Sequence, residues 1–395
     1  MKDNYNLGNS VVDVSVVIPC LNEAQTIGIC VEKARQALKE HNLNGEIIVS
    51  DNGSSDDSVA IALSSGARVV HQPKKGYGNA YLKGIASARG KYIVIGDADN
   101  TYDFLELYKF IEPLKKGADM VMGSRLKGNI HKGAMPFLHR YIGNPLLSAL
   151  LNMMFRVKIS DTHCGMRSFT RDAFNKLYLK TPGMEFASEM IIKSAKARLK
   201  ITEIPITYYP RKGESKLRTF KDGWRHLKFM LLLSPQHLFL FPGFIMFLFG
   251  LVSIMALVRG PLILWGHNFD LHMMILSSFL TISGLQIFSL GLFTQVYSHD
   301  LFSSDSRIVR FLLKYFTLER GVYLGVLLLV VGVLFCLKVY YNYLNAIVGN
   351  SIYYNARLAL FGVTMMISGL QVIFSSFYIT FLEVKKEHED FNNLP

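Results

Sequence analysis

Asp97 and Asp99 stand one residue apart at the end of the apolar run KYIVIGD (91–97). A turn that follows a strand can aim two carboxylates so spaced at one point. Two hard oxygen donors suit Mg²⁺ or Mn²⁺, which complete their shells with phosphate oxygens and water. A cation held there would neutralise the charge that develops on a departing diphosphate, with no proton transfer. A calcium EF-hand does not fit, because Tyr102 occupies its glycine position and Tyr108 the place of its bidentate Glu. Three further polar clusters precede this one: Pro19-Cys20-Leu21-Asn22-Glu23, Asp51-Asn52-Gly53-Ser54-Ser55-Asp56 and Lys74-Lys75-Gly76-Tyr77-Gly78. A single cluster of this kind is simply a good turn, whereas several converging on one edge make a ligand site. Gly76-x-Gly78 is not a dinucleotide fingerprint, since Tyr81 takes the third glycine position, and no GxxxxGK[ST] phosphate loop occurs.

The elements that must position these residues are short β-rich runs alternating with helical stretches. VSVVI (14–18), EIIVS (46–50), ARVVH (67–71), KYIVIGD (91–97) and DMVMGS (119–124) read as strands of a mostly parallel sheet buried on both faces. Ala24–Lys39 and Gly78–Ala88 have helical periodicity. In such α/β sheets ligands bind beyond the carboxyl ends of the strands, which is where all four clusters fall.

PCLNEA, DNGSSD, KGYGNAYLKGIASARG, DADNT, GSR (123–125) and DTHCGMRSF (161–169) resemble glycosyltransferase family 2, with its α/β GT-A fold. EFASEM and EIPITYYPRKGESKL resemble the polyprenyl-phosphate hexose synthase branch, relatives of the dolichyl-phosphate mannose and glucose synthases. The resemblance covers the whole of the polar half. It implies inverting transfer of a hexose, glucose or mannose, from a UDP- or GDP-linked donor to a polyprenyl phosphate. It implies that Pro19, Asn22, Glu23, Asp51, Gly53 and Lys75 hold the donor, with Arg211 and Lys216 closing over its phosphates. Asp97, Asp99 and Thr101 would hold the metal, and Arg125 and Arg140 would meet the acceptor phosphate. Asp97, Asp99, Arg125 and Arg140 are then the catalytic set. Three positions depart from the pattern: Asn52 replaces a second Asp, Thr101 replaces Gln and Cys164 replaces Ser. A lipid phosphate is already ionised and needs no general base, unlike a sugar hydroxyl. Arg rather than Lys suits planar, bidentate phosphate contacts. Asp161 reads as a structural cap in preference to a base.

The composition changes after residue 228. Residues 1–228 form the catalytic domain, ending in an amphipathic interfacial helix at 216–228, where Lys216, Arg218, Lys221, Arg225 and Lys228 alternate with Leu217, Phe220, Trp224 and Leu227. Residues 229–395 form a membrane domain of two helical hairpins, with spans near 236–258, 273–297, 322–344 and 358–382. Ile282-Ser283-Gly284-Leu285-Gln286 recurs as Ile367-Ser368-Gly369-Leu370-Gln371, read as helix-packing glue in preference to a lipid-binding role, since small residues let helices approach closely and a Gln can hydrogen-bond across them. Arg307, Arg310, Lys314 and Arg320 between spans two and three, and Lys385 and Lys386 after span four, place both termini and the catalytic domain in the cytoplasm by the positive-inside rule. The first residues lack the apolar core of a signal peptide, and Cys20, Cys30, Cys164 and Cys336 show no metal or disulfide spacing. A net charge of +13 fits phosphorylated substrates and anionic lipid, while no nucleic-acid-binding signature accompanies it. A processive polysaccharide synthase is disfavoured by the missing QxxRW string, and a non-catalytic carrier-binding or flipping protein by the intact Asp97/Asp99 pair. A homo-oligomer is left open.

Overall fold

A computed structural model describes residues 12–212, 219–302, 317–345 and 352–392. The chain divides into two compact units, Met1–Met230 and Leu231–Pro395. Lys216 lies outside the described residues, as do Arg307, Arg310 and Lys314.

In the first unit β1 (Val14–Cys20), β2 (Gly45–Asp51), β3 (Arg68–His71), β4 (Tyr92–Ile95), β5 (Met120–Ile130), β6 (Arg167–Thr170) and β7 (Ile201–Tyr208) form one sheet in the order β3-β2-β1-β4-β6-β5-β7. β1 to β4 are parallel, β5 and β7 are parallel, and β6 runs antiparallel between β4 and β5. Val14, Val16, Val17, Ile18, Ile48, Val49, Ile93 and Val94 are wholly buried, as β-branched strands covered on both faces must be. Helix α1 (Ile27–Glu40) turns Ile27, Cys30, Val31, Ala34, Ala37 and Leu38 inward at three- and four-residue spacing. The other helices of this unit are α2 (Ser58–Ser64), α3 (Tyr77–Ser87), α4 (Leu107–Lys115), α5 (Asn144–Phe155), α6 (Arg171–Leu177) and α7 (Phe186–Lys196), and α8 (Thr219–Leu232) spans the division between the units in sequence.

Five strands coincide with the expected runs; β6 and β7 do not. β6 has only four residues and opens on Arg167, whose buried guanidinium donates to the carbonyls of Cys164, Ala187 and Thr162. β7 is an edge strand bearing Glu203 and Pro205. Proline is tolerated at an edge, where one side of the backbone has no ladder partner.

The second unit contains α9 (Phe241–Leu257), α10 (Leu271–Phe302), α11 (Leu318–Leu344) and α12 (Ile352–Asn392). Four stretches, Gln236–Leu257, Leu271–Val296, Leu318–Leu344 and Ile352–Leu382, are long and apolar enough to cross a membrane. A small hairpin of β8 (Leu262–Leu264) and β9 (His267–Phe269) joins α9 to α10, with Trp265 and Gly266 both at positive φ in its turn, as a two-residue hairpin of right-handed twist requires.

The two helical hairpins are copies in packing as well as in sequence. A Cβ at Gly243 would strike Phe288 and Gly284, and one at Gly325 would strike Ile373 and Gly369. Gly284 similarly abuts the backbone of Phe247, and Gly369 that of Leu329. The seams are therefore made by glycines that let helix backbones touch. Gln286 and Gln371 make no such cross-helix bond among the described residues, and both line a groove of about 720 Å³ between α10 and α12. Gly284→Val puts a side-chain carbon 2.3 Å from the Phe247 nitrogen and costs about 1–3 kcal/mol of overpacking. Thermal unfolding in detergent checks this: the midpoint falls for Gly284→Val and holds for Gly260→Ala, where nothing lies within 4 Å.

Candidate active site

β1, β2 and β4 are neighbours and parallel, so their carboxyl ends share an edge. Beyond β4 the chain turns through Asp97–Thr101, with Asn100 at φ 56°, a left-handed conformation that Asn tolerates. Asp97 is held by two phenols of α3: Tyr77 donates to its Oδ1 at 2.8 Å and Tyr81 at 3.0 Å. Burial, and after it the charge of Asp99, raise the Asp97 pKa to about 6, against the pull of both tyrosines and of Arg211. Asp99 Oδ1 accepts from the Thr101 backbone at 3.1 Å and the Thr101 hydroxyl at 2.6 Å. Thr101 thus orients Asp99 directly. Arg211 lies against the pair, with Nη1 3.3 Å from Asp99 Oδ2 and Nη2 2.6 Å from Glu23 Oε1. Its Nε is buried without a partner.

The neighbouring turns are tied to one another. Asp51 accepts from Gly53 and Ser54 backbone amides and lies 3.2 Å from His71 Nδ1. Burial alone would raise its pKa, but the bonds from Ser54, His71 and Gly53 hold it below the usual carboxylate range. Asn22, at φ 53°, accepts from the Ser55 amide at 2.8 Å, and the Glu23 amide donates to the Ser58 hydroxyl at 2.8 Å. Lys75 Nζ donates to the carbonyls of Asn52 and Gly53 at 3.0 and 3.1 Å. Gly53 has φ 84°, and a Cβ there would meet Lys75 Nζ at 2.7 Å. The departure at Asn52 has a structural reason: its amide donates to the carbonyls of Gln72 and Lys74 and accepts from the Gly76 amide. An aspartate could not donate those two bonds. Pro19 sits in the last turn of pleat of β1, one residue before its end.

Arg125 and Arg140 are placed differently. Arg125, on β5, is buried, with Nε 2.7 Å from Asp161 Oδ2 and Nη2 2.8 Å from Oδ1. Its guanidinium carbon lies 5.1 Å from the Tyr208 ring centre. Asp161 also accepts from the Arg125 backbone at 3.1 Å, so this carboxylate is a fixed structural counter-ion. Arg140 has no carboxylate partner among the described residues and lies over the Tyr141 ring at 5.3 Å.

The sequence profile described as glycosyl transferase family 2 matches residues 15–178, and that of the glycosyltransferase family 2 C-terminal transmembrane region matches residues 292–383. The low-salt glycan biosynthesis hexosyltransferase Agl6 of Haloferax volcanii is 39% identical over 367 residues, covering 93% of this chain and 88% of that protein. The chain belongs to glycosyltransferase family 2. The dolichyl-phosphate hexose transferase of the same organism is 33% identical over 213 residues, 53% of this family 2 chain and 89% of that protein. Among solved structures, glucosyl-3-phosphoglycerate synthase from Mycobacterium tuberculosis aligns with a TM-score of 0.46 and 22% identity over 55% of this chain and 78% of that one. The strand order with its antiparallel β6 is the GT-A arrangement that family 2 membership implies, and this family 2 glycosyltransferase is a membrane protein.

Several residues that shape the site escaped the sequence reading. Tyr77 and Tyr81 are four apart on α3, a spacing that puts both hydroxyls on one helix face. Glu203 of β7 accepts from the Ser160 amide and hydroxyl and from the Asp161 amide, fixing the loop that delivers Asp161. No local signal announces a contact 43 residues away.

Proposed function

We propose that the protein transfers a hexose, glucose or mannose, with inversion from a nucleotide-diphosphate sugar to a polyprenyl phosphate. The observation that carries this reading is the Asp97–Asp99 pair on the shared strand edge, with Arg211 bridging Asp99 and Glu23. The related dolichyl-phosphate hexose transferase supports a lipid-phosphate acceptor, and the glycan-biosynthesis relative supports use of the product in a surface glycan or glycoprotein.

In this reading Asp97 and Asp99, the latter set by Thr101, hold Mg²⁺ or Mn²⁺. The donor set fits such an ion. A guanidinium already stands as a cation against Asp99. Two carboxylates suit a cation that shares its shell with substrate phosphates. When bound, the metal neutralises charge on the leaving diphosphate. Pro19, Glu23 and Asp51, with Asn22 and Gly53, frame the base and ribose, and Lys75 and Arg211 serve the donor phosphates, a role the family resemblance also gives Lys216, which lies outside the described residues. Arg140 meets the acceptor phosphate, and Arg125, with two donors committed to Asp161, adds its remaining Nη1. The acceptor attacks the anomeric carbon as an anion, so the protein supplies position, charge and exclusion of water.

Orientation is part of the proposal: the Lys/Arg distribution supports a cytoplasmic catalytic unit and termini. One experiment tests both. Labelled UDP- and GDP-linked glucose and mannose, which do not cross membranes, are offered with polyprenyl phosphate to inside-out and right-side-out vesicles. Label entering the organic phase from one donor, only with inside-out vesicles, is the expected result. No lipid-extractable label from any donor would reject the reaction, and equal label from right-side-out vesicles would reject the orientation.

A further inference from the structure

Arg211 holds two carboxylates at once. Its Nη2 donates to Glu23 Oε1 at 2.6 Å, and its Nη1 lies 3.3 Å from Asp99 Oδ2. The three side chains are largely shielded, at 24% exposed for Arg211, 14% for Glu23 and 13% for Asp99, so salt and water screen these contacts only in part. The backbone sets the reach. The Tyr209 amide donates to the Thr101 carbonyl at 2.9 Å, which ties the chain just after β7 to the turn that carries Asp99. Yet Arg211 Nε is buried with no acceptor, and an unmatched buried donor costs free energy. An anion with several oxygens would satisfy the guanidinium fork more fully than these two carboxylates do.

One oxygen of Asp99 is already engaged. Oδ1 accepts from the Thr101 amide and hydroxyl, which leaves Oδ2, the atom beside Arg211, as the freer of the two. A divalent ion on Oδ2 and a guanidinium 3.3 Å from the same atom would be cations in contact, and their repulsion is strong where water is scarce. Both fit only if negative charge comes between them. A diphosphate supplies that charge, and its oxygens suit the planar fork. Lys33, beside the same turn, is anchored instead on Asn100 and Asp103.

We infer that Arg211 is an exchangeable counter-ion, which guards the metal side of Asp99 while the donor is absent and moves onto the donor diphosphate as the metal enters. Metal and nucleotide then bind cooperatively, because each removes the obstacle to the other: one displaces the guanidinium and the other receives it. Free metal alone binds weakly, and Glu23 and Asp99 stay paired between turnovers. The ion pairs stand on their own geometry; the exchange rests on the use of Asp99 as a metal ligand proposed above.

Mn²⁺ binding to the full chain in detergent, read by electron paramagnetic resonance without any substrate, tests it. Arg211→Met should tighten Mn²⁺ binding about tenfold, since a charge-assisted contact no longer competes for Asp99. Loss of a residue that merely builds the site would weaken it. Lys33→Met is the control: it deletes the same charge beside Asp103 and should leave Mn²⁺ affinity little changed. Arg211→Lys keeps the charge without a fork that spans two carboxylates, so its affinity should fall between wild type and Arg211→Met. Adding UDP, with GDP in parallel, should raise Mn²⁺ affinity more in the wild type than in Arg211→Met, because only the wild type has a guanidinium to hand over. A folded Arg211→Met chain that binds Mn²⁺ no tighter than wild type overturns the exchange and keeps the metal site. An equal gain in Lys33→Met, the mark of a diffuse field, overturns it too. If Arg211→Met loses its circular dichroism spectrum, Arg211→Lys decides, and an affinity no tighter than wild type rejects the inference. Wild-type chain that binds no Mn²⁺, with or without nucleotide, would reject the metal reading itself and the exchange with it.

Discussion

Asp99→Asn lowers hexose transfer by about a hundred- to a thousandfold, the loss that follows removal of one preorganised charge-stabilising group. The substitution keeps the shape of the side chain and its bond to the Thr101 amide, so the turn after β4 should persist. What disappears is half of the negative charge that draws a divalent cation to the strand edge. Arg211 also loses its ion pair at 3.3 Å and keeps only Glu23. Three measurements separate these effects: initial rates of label transfer, Mn²⁺ binding by electron paramagnetic resonance, and circular dichroism. The expected outcome is weakened Mn²⁺ binding and slow transfer on an unchanged spectrum. Full activity in the wild type after exhaustive chelation would remove the metal from the reaction.

The second large effect is on stability. Asp161 is wholly buried and bidentate with Arg125, so Asp161→Ala strands a guanidinium in the core and costs roughly 3–5 kcal/mol. Arg125→Met combined with Asp161→Leu should recover most of that loss, since an apolar pair of similar volume needs no partner. The double variant also tests function, because a stable chain that still binds nucleotide sugar yet transfers slowly would place Arg125 at the acceptor. Full transfer by the double variant would confine Arg125 to a structural role. The pH dependence has a definite sign. Burial would raise the Asp161 pKa, but the charge and hydrogen bonds of Arg125 lower it. Its contribution is then complete above the unfolded carboxyl value of about 3.9 and is lost as pH falls through the lower folded value. Denaturant unfolding of the double variant should lack that part of the acid limb.

The sequence made the site legible where side chains act near their own strand. Asp97, Asp99, Asp51 and Glu23 follow strands whose apolar runs are unmistakable, and parallel pairing brings them to one edge. It was silent where partners are distant or faces ambiguous. Nothing in GSR tells that Arg125 is committed to Asp161 across 36 residues. β6 lacks the length, and β7 the apolar continuity, to register as core strands. In the membrane repeat the glycines beside each Gln make the closest backbone approaches of the seams, while Gln286 and Gln371 line the groove between α10 and α12.

Those seams pose a question of assembly. If α9 meets α10 through the same glycine surfaces that join α11 to α12, either partner could dock on either helix as spans enter the bilayer one after another. Selection of neighbours must then fall on features the copies do not share. Asp270, just before α10, pairs with Arg357 of α12 at 2.5 Å, and Ser278 bonds Thr364 at 2.6 Å. Asn342 and Asn355 join α11 to α12. These polar contacts act as a key between otherwise interchangeable surfaces, so exchanging Asp270 and Arg357 should be tolerated far better than removing either. A duplicated membrane unit gains its parts cheaply in evolution, and its fidelity then resides in the few places where the copies have diverged.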